Sequence, residues 1–262
     1  MKIGFIGCGN MASAIISGLV SSDVVKGSDI NCYDVYAPAC DDLKEKYGVN
    51  VFIDINPVCI NSDVIFLAVK PNVLAEVLEG IENTNNKLFI SIAAGKTLEY
   101  IEDNLNGTAK LVRVMPNINA NVQEAISAYC TNSLVTDEDI KTVEKLLNSF
   151  GKCIALDESY FGIFGVIGGC APAFAYMFID ELARAAVKNG MKKADALEIA
   201  AQVVYGSAKM IMQSDKHPWE LIDNVCSPGG TTIEGVASLK ADGFEKAIDN
   251  AVDKALEKDK RL

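Results

Sequence analysis

The sequence predicts an α/β protein: an N-terminal doubly wound, mostly parallel sheet domain followed by an all-α C-terminal domain. Three observations predict it. Strand-length and helix-length apolar patterns alternate through the first half of the chain. The run Val64-Ile65-Phe66-Leu67-Ala68-Val69 is apolar at every position, the pattern of a strand buried on both faces. Past Leu156 helical patterns take over, and no comparable strand run follows.

The elements come in order. Strand-length runs lie at residues 2–6, 30–33, 64–69, 88–92 and 111–115. Helical patterns fall between them at 10–21, 38–47, 71–81 and 98–104. A βαβα order implies parallel strands joined by right-handed crossovers. Residues 137–150 place Ile140, Val143, Leu146, Leu147 and Phe150 on one helical face, and 152–155 read as a last short strand. Further helices are predicted at 173–188, 193–212, 219–224, 231–239 and 244–258, the last with an apolar stripe from Phe244 to Leu256. The domain boundary is set at residues 1–156 and 157–262.

Composition narrows the function. The 262 residues are half hydrophobic and carry 35 Asp and Glu against 24 Lys and Arg, a net charge of −11. An acidic surface argues against nucleic acid as a partner, because neutralising phosphates needs a basic face. Eight cysteines without a C-x-x-C pair, and a single histidine, His217, argue against a metal site. Cysteines set within apolar runs fit a reducing cytoplasm, and no signal peptide is read before the first strand. Residues 160–179 hold no charge over about the length of a membrane span. Gly168-Gly169 and Pro172 interrupt that stretch, Asp180-Glu181 end it, and no basic flank marks it, so a buried helix pair is expected rather than a membrane segment. A helical domain of about a hundred residues is too small to bury this stretch and the 244–256 stripe alone, so a homodimer or a ring of dimers is expected.

Gly7-Cys8-Gly9-Asn10-Met11-Ala12 follows the first strand and opens a helix, matching G-x-G-x-x-G/A in its proper context. This is the Rossmann-like dinucleotide turn: Gly7 allows the sharp turn, Gly9 lets a pyrophosphate approach, and Ala12 allows close helix packing. The helix N-terminus then offers free N–H groups to phosphate. Asp34 ends the second strand, where an acid accepts hydrogen bonds from the ribose hydroxyls of NAD and repels the extra phosphate of NADP. No Lys or Arg lies between Asp34 and Leu43, so NADH is expected to serve at least as well as NADPH. Ala68-Val69-Lys70-Pro71 and Ser91-Ile92-Ala93-Ala94-Gly95 end two further strands, where ligands of such sheets bind.

Ser227-Pro228-Gly229-Gly230-Thr231-Thr232-Ile233-Glu234 is the most unusual string in the chain. Thr231 and Glu234 have capping-box spacing, which predicts a helix capped by Thr231. The glycines leave N–H groups uncovered at its start, a place for a substrate carboxylate.

These strings, with Val112-Arg113-Val114-Met115-Pro116-Asn117, resemble pyrroline-5-carboxylate reductase nearly end to end. The resemblance implies reduction of a cyclic imino acid, 1-pyrroline-5-carboxylate, to L-proline by NADH or NADPH, the last step of proline biosynthesis. It implies cofactor contacts at Gly7, Gly9, Asn10, Met11, Asp34, Asn56, Ala68, Lys70, Pro71, Ala93 and Gly95. Substrate contacts are implied at Asn117, Ser227, Gly229, Gly230, Thr231 and Thr232, with Thr232 as the hydroxyl beside the ring nitrogen. The chain departs from the family pattern at Ile118, where Thr is usual, and at Gly168-Gly169-Cys170-Ala171, where hydroxyls are usual. Two other classes share the first domain. One is a two-domain reductase of another small acid, using NAD(P) or a deazaflavin; its 3-hydroxyacid type carries a long-helix lysine that is missing between Gly168 and Tyr176. The other is a non-catalytic nucleotide sensor, which has no use for the Ser227–Thr232 string.

Overall fold

The alternating patterns of the first half build one twisted sheet. The computed structural model describes residues 1–84, 87–105 and 107–260. The strands are β1 (Ile3–Ile6), β2 (Ile30–Tyr33), β3 (Asn50–Val51), β4 (Val64–Leu67), β5 (Leu88–Ser91), β6 (Lys110–Met115), β7 (Ala125–Thr131) and β8 (Gly151–Ala155). They pair in the order β3-β2-β1-β4-β5-β6-β7-β8, parallel throughout except between β6 and β7. Every residue of β1, β4 and β5 is buried, as their unbroken apolar runs require.

Helices cover both faces of the sheet. On one side α1 (Asn10–Ser21), α2 (Ala37–Tyr47) and α6 (Asp137–Leu147) pack on Phe5, Phe66, Ile90 and Val114. On the other, α3 (Ile55–Ile60), α4 (Leu74–Glu79) and α5 (Leu98–Asn104) pack on Ile65, Leu67, Phe89 and Leu111. Successive strand residues therefore enter opposite cores. Phe5 and Phe66, paired in register, stack with ring centroids 4.8 Å apart.

Three elements were not expected. β3 is a two-residue edge strand, too short for any pattern. β7 carries Ala125, Ser127 and Ala128, which dilute the β signal, yet it is held between β6 and β8. α3 contains Pro57, tolerated because it lies in the first turn, where its missing N–H has no helical partner. The helix expected over 71–81 shortens to α4, and that over 137–150 stops at Leu147.

The chain divides into two compact units, the second beginning at Cys170. A 3₁₀ turn (Glu158–Tyr160), α7 (Phe161–Phe164) and a π-helical turn (Gly165–Cys170) follow β8. The second unit holds α8 (Ala171–Lys188), α9 (Lys193–Gln213), α10 (Pro218–Val225), α11 (Thr231–Ala241) and α12 (Phe244–Asp259). The buried helix pair expected over 160–179 is corrected: Glu158–Lys188 is a continuous apolar helical run whose most apolar window is only 11% buried within the chain. No described residue of α10, α11 or α12 is buried. Ala183, Ala196 and Ala200 form the buried cluster of this unit, flanked by Ile179 and Ala186.

Candidate active site

On the first unit the candidate cofactor site is the turn between β1 and α1. Gly7 sits at φ +97°, and a Cβ there would lie 2.5 Å from the Ala68 carbonyl oxygen. The turn thus presses directly on the end of β4, which only glycine permits. A Cβ on Gly9 would instead meet nothing within 4 Å, so this position borders open space, as a pyrophosphate cradle requires. No side chain caps α1 and its first turn holds no acid, which leaves the N–H groups of Asn10 and Met11 to an anion. The residues present fit a dinucleotide.

Asp34 is fixed rather than free. Its Oδ2 accepts the Cys8 N–H at 2.7 Å and its Oδ1 accepts the Tyr36 N–H at 2.8 Å. One carboxylate therefore braces both the glycine turn and the turn after β2, while each oxygen keeps a lone pair for a ribose hydroxyl. Behind it Cys40 and Cys8 are buried with sulfurs 3.5 Å apart. The Cys32 thiol and burial push the Cys8 thiol far up, and burial pushes Cys40 up to about 12, so both remain protonated.

A cleft of about 440 Å³ opens beside Asp34, lined by Gly7, Tyr33, Val35, Asn56, Val69 and Val77 among others. Two further acids, Asp54 and Glu76, line it and were not anticipated. Asp54 is the N-cap of α3, its Oδ1 accepting the Asn56 N–H at 3.0 Å. The Asn56 side chain lines the cleft while bridging α3 to α4: its amide donates to the Gly80 carbonyl and accepts from the Glu82 N–H, both at 3.1 Å. Ala68 and Pro71 are half-buried past the end of β4, and Lys70 is exposed. Past β5, Ala93 is buried and Gly95 sits at φ +73°, turning the chain back toward α5.

The second unit carries a candidate anion-binding turn of its own. Ser227 to Gly230 form a turn with Pro228 second and Gly229 third at φ +67°, closed by the Gly230 N–H donating to the Ser227 carbonyl at 3.0 Å. That is the type II pattern. The expected capping box is corrected: Gly230, not Thr231, is the N-cap of α11, and no side chain caps that helix. Thr231 enters the helix as its first residue because the turn has already set the extended backbone at Gly230. The first N–H groups of α11 and the Thr231 hydroxyl stay available in an exposed loop, with Thr232 half-buried behind.

Asn117, expected to touch substrate, is buried with its side chain engaged at both ends. It donates to the Gly168 carbonyl in the π-helical turn at 2.9 Å and accepts the Ile126 N–H at 3.3 Å. His217 is an exposed helix cap whose Nδ1 accepts the Trp219 N–H at 3.2 Å.

Comparisons with known proteins bear on both units. The family model for pyrroline-5-carboxylate reductase dimerisation matches residues 158–262, and one described as NADP oxidoreductase, coenzyme F420-dependent, matches 2–95. The chain is 42% identical over its full length to the pyrroline-5-carboxylate reductase of Methanosarcina acetivorans, spanning 97% of that protein. It is 41% identical over its full length to that of Escherichia coli, spanning 98%. Among solved structures, the Coxiella burnetii pyrroline-5-carboxylate reductase superposes with a TM-score of 0.92 at 29% identity, covering 99% of this chain and 97% of that one. The Plasmodium falciparum pyrroline carboxylate reductase, solved with NADP bound, gives 0.87 at 34%, covering 100% and 97%. Matched from end to end at this identity, the chain belongs to the pyrroline-5-carboxylate reductase family.

Proposed function

We propose that the protein reduces 1-pyrroline-5-carboxylate to L-proline with NADH or NADPH, the last step of proline biosynthesis. The observation that carries this reading is the Ser227–Gly230 turn, which opens α11 without a side-chain cap. A nucleotide sensor needs only the glycine turn; a reductase of a small carboxylate also needs an anion site of this kind. The match to the coenzyme F420-dependent model is confined to residues 2–95 and does not reach that turn.

When bound, the nicotinamide supplies the hydride. The chain's own groups hold and orient: Gly7, Gly9 and the α1 N-terminus seat the phosphates, and Ala68, Lys70 and Pro71 border the cofactor past β4. Ala93 and Gly95 form a small-residue shelf for the nicotinamide ring. The N–H groups of Gly229 to Thr232 and the Ser227 and Thr231 hydroxyls anchor the substrate carboxylate. Thr232 holds a hydroxyl toward the ring nitrogen. An imine that arrives protonated needs no strong protein acid, which suits a chain whose one imidazole caps a helix. Asn117 serves the substrate side by holding the π-helical turn.

Imine-dependent oxidation of NAD(P)H by the purified protein tests this directly. Activity with pyrroline-5-carboxylate and none with keto acids is expected. A Cβ at Gly230 would lie 2.3 Å from Ser227 Oγ, so Gly230→Val should raise the substrate KM at least about tenfold. An unchanged KM would reduce the turn to a helix start.

The same reading makes NADH at least as good a cofactor as NADPH. A 2′-phosphate near Asp34 would face a fixed carboxylate with Asp54 and Glu76 in the same cleft. Asp34→Ser should lower kcat/KM for NADH by about tenfold while changing that for NADPH less, since one tenfold step is about 1.4 kcal/mol. A parent strongly favouring NADPH overturns the preference.

Assembly as a homodimer, or a ring of dimers, rests on the exposed apolar faces of α8 and α9. Placement in a reducing cytoplasm rests on cysteines used as buried apolar groups at Cys8, Cys32, Cys40 and Cys59. Neither a membrane nor a nucleic acid nor a metal enters this reading.

A further inference from the structure

We infer that Glu158 is a positioning residue for the hydride end of the cofactor, acting through the backbone N–H of Leu98. Its Oε1 accepts that N–H at 2.9 Å, across sixty residues of sequence, and accepts Arg113 Nη1 at the same distance. Leu98 is the first residue of α5 and ends the loop 92–97 that carries Ala93 and Gly95. The loop is thus tied at both ends. β5 holds its start between β4 and β6, and Glu158 holds its finish.

The tether itself is rigid. Arg113 is 7% exposed in β6, beside Ser91 at the end of β5. Its guanidinium lies 4.4 Å from the centroid of the buried Phe161 ring in α7. A buried guanidinium needs a compensating charge, and Glu158 is the carboxylate that pairs with it. Glu158 reaches Leu98 and Arg113 through the same oxygen, so the ion pair and the tether share one geometry. A carboxylate at the start of α5 is favoured by the helix dipole as well. Between the two tethers the loop depends on lesser contacts: the Ala93 N–H reaches Ser91 Oγ at 3.4 Å, and Thr97 caps α5 through the Tyr100 N–H at 3.1 Å.

This has a kinetic meaning. Hydride transfer needs the donor and acceptor carbons at near-attack distance, and a displacement of about 1 Å costs as much as a hundredfold in rate. On the same reading the adenosine half would be held by the glycine turn and Asp34 rather than by this loop. Loss of the tether should therefore show in turnover and in binding of the nicotinamide, and not in binding of the adenosine half. The inference rests on the reading of Ala93 and Gly95 as the nicotinamide shelf.

Two variants separate reach from charge. Glu158→Asp keeps a charge beside Arg113 but is one methylene too short to hold Leu98 as well. Glu158→Gln keeps the reach and an acceptor oxygen but loses the charge. The inference expects Glu158→Asp to lower kcat about tenfold with the dissociation constant of ADP-ribose changed less than twofold. Glu158→Gln should restore kcat to within about threefold of the parent even though its melting temperature falls. The opposite ranking, with the Asp variant active and the Gln variant slow, overturns it, as does equal weakening of ADP-ribose and NADPH. Ala93→Val serves as the control on the shelf. If it weakens NADPH but not ADP-ribose, a silent Glu158→Asp defeats only the tether; if it leaves NADPH binding unchanged, the shelf reading itself fails.

Discussion

In the first unit Phe5 and Phe66 stack inside a sheet whose two faces are both covered, and neither ring reaches solvent. In the second, Met177 and Met212 stand 68% and 63% exposed on helices of similar apolar content. Tyr176, Val203, Tyr205 and Ile211 share that exposure, while burial is confined to a few alanines between α8 and α9. The difference teaches where each unit finds its stability. The sheet supplies two cores from its own chain, one per face. The helices carry apolar faces without a core to put them in, and a region matching a dimerisation family model is where a second copy would supply one.

The sharpest way to break that contrast is to remove volume from each side. Phe66→Ala should cost about 3–5 kcal/mol in denaturant unfolding, the usual range for a fully buried ring. A loss under about 1 kcal/mol would mean the core collapses around the gap. Met177→Ala should cost about 2 kcal/mol in the assembled protein, as a covered methionine does, and the melting temperature should rise with protein concentration. If the residue stays uncovered, the change should fall within about 0.5 kcal/mol and show no concentration dependence. That result would return the second unit to a free surface.

A smaller effect sharpens the account of the first unit. Burial opposes the charge of Asp139, but hydrogen bonds from Lys110 and Thr136 prevail and hold its carboxyl below the usual range. Asp139 bonds the Thr136 N–H at 2.9 Å at the start of α6 and meets Lys110 Nζ at 2.8 Å. A depressed folded pKa contributes stability above the unfolded value, about 3.9, and loses it as pH falls through the folded one. Asp139→Asn should thus be about 1 kcal/mol less stable than the parent at neutral pH, and the gap should close as acid is added. A gap independent of pH would assign the effect to packing.

Much of this was legible before any coordinates. α1 and α5 begin and end where the apolar spacing puts them, and the glycine turn ending at Gly9 marks the start of α1. The Ser227–Thr232 string announced a helix N-terminus for the same reason. What escaped has a common cause: it depends on residues far apart in sequence. β7 owes its place to pairing with β6 and β8, not to its own Ala and Ser residues. Glu158 looks like an ordinary surface acid until Leu98 and Arg113 are brought to it. Asp54 and Glu76 share a cleft only because α3 and α4 cover the same face of the sheet. Thr231 was mistaken for a cap because spacing cannot tell that the preceding turn has already fixed Gly230.

Asp34 carries a consequence for how such a chain can change. The residue proposed to meet the cofactor's ribose is also the strut that joins Cys8 in one turn to Tyr36 in another. On that proposal, a substitution at position 34 also removes the brace on the glycine turn, so the two traits would be inherited together. A lineage drifting toward the phosphorylated cofactor through position 34 would lose that brace in the same step. Replacing Glu76 or Val35 first, which line the same cleft without bracing the glycine turn, would leave the brace in place.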